Sequence, residues 1–132
     1  MRLTDILRDQ HAQLAVMLDE LHRLGVAEAT GRERLQRARQ AMLAHLKLED
    51  SQLYPALRAD PATSALARRY ADEMQQLTPA LMAFFDTYRD GSADLFAFAR
   101  SLEQLLAVLQ QRIEREEEWL YRVYEAQLEK IG

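Results

Sequence analysis

At 132 residues, with 48% hydrophobic side chains, the chain is long enough for one domain spanning residues 1–132 with a core of its own, and too short to expect two. It has no cysteine, which excludes disulfides, thiolate metal sites and cysteine nucleophiles and agrees with a reducing compartment. The net charge of −4 offers no broad basic surface for nucleic acid, and the opening MRLTDILRDQH, broken by Asp5, Arg8 and Asp9, has no apolar run for a signal peptide or a membrane span, so a cytoplasmic protein is expected.

Four glycines, three prolines and few β-branched residues favour helix throughout. Thr4 is placed to cap a first helix that stops at Gly25. A second runs from about residue 31 toward Pro55 and a turn or so beyond. Asp60 and Pro61 read as the N-cap and first position of a third, which Pro79 should kink. Asp90-Gly91-Ser92 closes it, and a fourth runs without a breaker from Ala93 to Ile131. Each segment carries an apolar stripe at helical spacing. The stripes are Leu7, Leu14, Leu18 and Leu21; Leu35, Met42, Leu46 and Leu53; Leu66, Tyr70, Leu77, Leu81 and Phe84; and Phe98, Leu102, Leu105, Leu109, Ile113, Leu120 and Val123. Long amphipathic helices with short connections predict an all-α, up-and-down antiparallel four-helix bundle.

Polar residues interrupt these stripes at one level. In HLKLEDSQLYP, residues 45–55, His45 and Glu49 lie one turn apart between Met42, Leu46 and Leu53, so both should point inward. A shift of 67 aligns HLKLEDSQLY with RIEREEEWLY, placing Arg112 at the position of His45 and Glu116 at that of Glu49. His11 shares the face of Leu7, Leu14 and Leu18. Its counterpart on the third helix is Met74 or Thr78. Burying two carboxylates costs several kcal/mol each, roughly, unless positive charge accompanies them, so the layer needs a cation.

HLKLEDSQLYP, with His11 upstream in DQHAQL and Glu116 on the fourth helix, resembles the hemerythrin-like (HHE cation-binding) family over nearly the whole chain. That resemblance implies two non-haem irons between four helices, bridged by carboxylates from the second and fourth. The positions that match one iron's histidines are His11 and His45, and those that match the bridging carboxylates are Glu49 and Glu116, with Glu117 as a substitute for the latter. The second iron's histidines would come from the third and fourth helices, where this chain has Met74, Thr78 and Arg112. A thioether and a hydroxyl are poor ligands for iron, and a guanidinium has no lone pair to offer.

Two readings therefore stay open. In one, His11, His45, Glu49 and Glu116 hold a single divalent ion, iron first with zinc or manganese as alternatives, in a sensing or storage role served by a small diatomic ligand or a partner protein. In the other, no metal is bound, Arg112 bridges Glu116 and Glu49 in place of metal charge, and the bundle is an interaction or regulatory module. No ferritin-type Glu-x-x-His pair and no catalytic constellation is present, so enzymatic activity is not expected. His22 reads as a helix-end histidine, and Tyr54, Tyr121, Tyr124 and Trp119 read as an aromatic cap at one end of the bundle or a partner surface, ahead of a redox-active tyrosine near a metal. Arg32, Arg34, Arg37 and Arg39 point around their helix and the acidic run at 114–118 is mostly solvated, so neither supports nucleic-acid binding. Oligomeric state is not legible.

Overall fold

The computed structural model describes residues 2–91 and 94–131, with side chains placed through residue 128. Among these residues the protein is all-helical, with no strand. Four rods form a helical bundle: α1 (Leu3–Leu24); α2 (Ala29–Leu48), which continues through Glu49–Leu53 into α3 (Tyr54–Arg58); α4 (Ser64–Thr87); and α5 (Leu95–Arg115), which continues through Glu116–Leu120 into α6 (Tyr121–Ile131).

The rod ends differ in detail from the expectation. Thr4 does not cap α1; Arg2 holds that place, its backbone N–H donating to Asp5 Oδ2 at 3.2 Å, and Thr4 is buried within the first turn. Gly25 ends α1 with φ 68°, a left-handed value that suits glycine. Just beyond, a Cβ on Gly31 would fall 1.7 Å from the Gly25 carbonyl oxygen, so only glycine allows the second rod to turn back this tightly. Asp60 and Pro61 do not open the third helix. Asp60 instead makes a turn, Oδ1 accepting from Ala62 N at 2.9 Å, while the Thr63 hydroxyl donates to Leu57 O at 2.6 Å to finish α3, and α4 begins at Ser64. Pro79 lies inside an uninterrupted α4. Asp94 caps α5, its Oδ1 accepting from Phe96 N at 3.0 Å; Ser92 and Ala93, which entered the sequence-based boundaries, lie outside the described residues.

The apolar stripes bury into two cores, with Leu66, Leu77, Ile113 and Val123 only half-buried at their margins. Leu14, Leu18, Leu35, Met42, Leu81, Phe85, Leu102 and Leu109 belong to one, and Leu7, Leu53, Leu57, Ala67 and Leu120 belong to the other. Between them lies the polar layer: His11, His45, Glu49, Arg112 and Glu116 are all buried. Each rod crosses from one core to the other at this level, as from Leu7 past His11 to Leu14.

Helical periodicity alone did not reveal a local change of winding. Glu49–Leu53 and Glu116–Leu120 are π-helical turns, each starting at a buried glutamate, and the two are related by the same shift of 67 residues. Tyr54 N donates to Glu49 O and Tyr121 N to Glu116 O, the i→i+5 bond of that winding. In an α-helix residues five apart diverge by about 140°; the π turn brings each tyrosine back under its glutamate.

Candidate metal centre

His11, on α1, and His45, at the end of α2, face each other with Nε2 atoms 3.1 Å apart. Their outer nitrogens are engaged. His11 Nδ1 donates to Glu117 Oε2 at 2.8 Å and His45 Nδ1 donates to Gln10 Oε1 at 2.8 Å. Each ring thus has an outer partner on Nδ1, which fixes its orientation and turns Nε2 inward. Glu116 Oε1 lies 3.0 Å from His11 Nε2 and 3.9 Å from His45 Nε2, whereas Glu49 Oε1 approaches only His45, at 3.4 Å from its Nε2, and stands outside the tight cluster. Donor atoms of His11, His45 and Glu116 lie within 4.8 Å of one another. Glu49 Oε1 is a buried oxygen without a hydrogen bond.

The two carboxylates are held differently. Burial pushes Glu116 up, but hydrogen bonds from His11 and His45 and the charge of Arg112 outweigh it and hold the carboxyl well below the usual range. Glu49 is raised well above that range, first by burial and then by the neighbouring Glu116, against which one hydrogen bond from Tyr121 is not enough. Burial also lowers His45, keeping its imidazole neutral.

Arg112 fills the opposite side. Its Nε donates to Glu116 Oε2 at 3.2 Å, its Nη1 to Glu73 Oε2 at 3.3 Å, and its Nη2 to the Tyr54 hydroxyl at 3.0 Å and to Tyr70 O at 2.9 Å. The guanidinium also lies over the Tyr70 ring, 4.9 Å from its centroid. The expected bridge from Arg112 to Glu49 is not made: no hydrogen bond joins them among the described residues, because Arg112 is drawn outward by Glu73 on α4. Met74 lines the small cavity beside the histidines, about 20 Å³ in volume, whereas Thr78 turns its hydroxyl to Met74 O at 2.7 Å and lines an outer groove. Met74 is thus the third-helix counterpart of His11. Glu116, not Glu117, is the inward carboxylate, and Glu117 supports His11 from outside.

Tyr54 and Tyr121 do not cap an end of the bundle. Both are fully buried and reach the polar layer, while Trp119 is 60% exposed. The Tyr121 hydroxyl donates to Glu49 Oε2 at 2.9 Å and stands 3.3 Å from His11 Nε2 and 3.4 Å from Glu116 Oε1. Burial first, and the two carboxylates after it, push both phenols far above their ordinary range, so each remains a neutral O–H. The repeated Tyr five residues after each Glu was the available signal for this pair, and Gln10 next to His11 was the signal for the His45 partner. The basic cluster disperses as expected: Arg34 pairs with Glu20, Arg37 with Glu33 and Arg39 with Asp86, while Arg32 donates to Ala27 O. His22 is at the surface beside Glu103, 3.3 Å away.

Residues 2–124 match the model of the family described as Hemerythrin HHE cation binding domain, and the chain belongs to that family. No curated protein and no solved structure matches it. The family and the His/Glu cluster together define a cation-binding domain.

Proposed function

We propose that this domain, folded as an up-and-down antiparallel four-helix bundle, holds one divalent metal ion between His11, His45, Glu49 and Glu116. The observation that carries the reading is the meeting of donor atoms of His11, His45 and Glu116 within 4.8 Å of one another in a buried layer, with the orphaned Glu49 Oε1 3.4 Å from His45 Nε2. With an ion bound, each Nδ1 keeps its proton and each Nε2 offers a lone pair, and the cation offsets the cost of burying ionised carboxylates beside them. Two imidazoles and two carboxylates suit iron, zinc or manganese, with iron the leading candidate in a sensing or storage role. When bound, such an ion supplies Lewis acidity and, as iron, a redox-active centre for a small diatomic ligand.

The protein's own residues prepare the site. Glu117 and Gln10 fix the ring orientation of His11 and His45, and Arg112 keeps Glu116 ionised. The cavity of about 20 Å³ has room for a single ion or water. A second ion on the fourth-helix side does not fit the donor set, because Arg112 and Met74 stand where it would need ligands.

A metal-free reading, with the bundle as an interaction or regulatory module, rests on Arg112. Its charge is balanced by Glu116 and Glu73 without any ion. Metal analysis of freshly purified protein separates the two. The single-ion reading expects about one equivalent of metal in the wild type and background in His45→Ala. Background metal in the wild type, with stability unchanged by chelator, supports the metal-free module instead.

A further inference from the structure

Glu49 is the buried carboxylate without a cationic hydrogen-bond partner, and the contact that orients it comes from the other half of the molecule. The Tyr121 phenol reaches from the fourth rod to Glu49 Oε2 on the second at 2.9 Å. A phenol has one proton to give, and the 2.9 Å contact takes it; Glu116 Oε1 is farther away at 3.4 Å. With Oε2 held, the free Oε1 is left facing His45 Nε2 at 3.4 Å. The ring cannot slide away: Tyr121 is 0% exposed, stacks on the His11 ring at an interplanar angle of 14°, and has the Arg8 guanidinium 5.7 Å from its centroid. The twin tyrosine, Tyr54, has the same π-turn register but accepts from Arg112 instead.

We infer that Tyr121 is the positioning residue for Glu49, presenting one carboxylate oxygen to the ion by holding the other, so that this tyrosine and not Tyr54 sets the affinity of the site. The inference rests on the single-ion reading above. It follows from the placement of the phenol: without it, a buried carboxylate has no reason to keep Oε1 toward the histidines, and part of the binding free energy goes to reorienting it.

Cobalt(II) chloride is a suitable probe, since its visible bands report the number and type of ligands. Titration of the full chain against a competing chelator should give Tyr121→Phe a dissociation constant roughly 10–100-fold above wild type, with altered cobalt bands and unchanged helicity of the metal-free protein. Tyr54→Phe should stay within about threefold. In a Glu49→Ala background Tyr121→Phe should have no further effect, because the phenol acts through that carboxylate. In wild type and Tyr54→Phe, cobalt should also perturb the ultraviolet absorption of tyrosine, a readout that does not depend on the folding of Tyr121→Phe. If Tyr121→Phe binds cobalt as tightly as wild type, or the tyrosine spectrum ignores the metal, the inference is overturned while the single-ion reading stands. Wild-type protein that takes up no cobalt overturns both.

Discussion

In the second rod, His45, Glu49 and Tyr54 surround a π turn; in the fourth, Arg112, Glu116 and Tyr121 surround its twin. The backbone is the same, but the base one turn before each glutamate differs. Glu116 follows a permanent cation and receives its Nε–H at 3.2 Å. Glu49 follows a histidine that burial keeps neutral, and one of its oxygens has no hydrogen bond. Identical winding thus yields one carboxylate held ionised by a guanidinium and one that burial pushes toward its neutral form, with an oxygen left unpartnered. The side chain one turn earlier decides the difference, and on the single-ion reading it leaves the second rod as the half that takes the ion.

The most damaging way to break the comparison is to remove the internal cation. Arg112→Ala leaves Glu116 buried without its guanidinium and should cost about 3–5 kcal/mol of stability, read as a large fall in the denaturation midpoint of the metal-free protein. Arg112→His makes the fourth rod repeat the second and should raise metal uptake from about one equivalent to two; uptake no greater than wild type would remove the equivalence of guanidinium and ion. Tyr54→Phe takes an acceptor from Arg112 and should lower stability by about 1 kcal/mol, measured by urea denaturation.

The smallest effect lies at the outer edge of the Tyr121 half. There Arg8 donates to Glu125 Oε1 at 3.0 Å, and that hydrogen bond holds the Glu125 carboxyl below its usual range. A depressed carboxylate pKa contributes stability that is present above the unfolded value and lost as pH falls through the folded one. Glu125→Gln should therefore flatten the acid limb of the stability curve below roughly pH 4, by less than about 1 kcal/mol for a half-buried pair still screened by solvent.

The helices and their buried faces were legible because leucines recur at helical spacing, and the polar layer was legible because His11, His45, Glu49, Arg112 and Glu116 interrupt those stripes. The π turns were not. A period of 3.6 residues assigns Tyr54 and Tyr121 a direction well away from their glutamates, and only the i→i+5 bond brings them inward. The wrong start of α4 has a similar local origin: Asp60 was read as a cap, but its side chain closes a turn onto Ala62. Glu73 was missed because it is half-exposed and outside the third apolar stripe, yet it draws Arg112 toward α4 at 3.3 Å. Which of Met74 and Thr78 stands level with the histidines depended on the axial register of the third helix, and stripe matching left that register open by one turn.

The second π turn also carries the single tryptophan of the chain, Trp119, three residues beyond Glu116 and with its indole largely in solvent. An inward carboxylate and an outward fluorophore thus share five residues of unusually wound backbone. Rewinding of that segment would swing the indole by about 100° for each residue gained or lost from the loop, changing its solvation and the colour of its emission. The fold in effect includes its own optical probe of the buried layer, one that needs no label and no added chromophore.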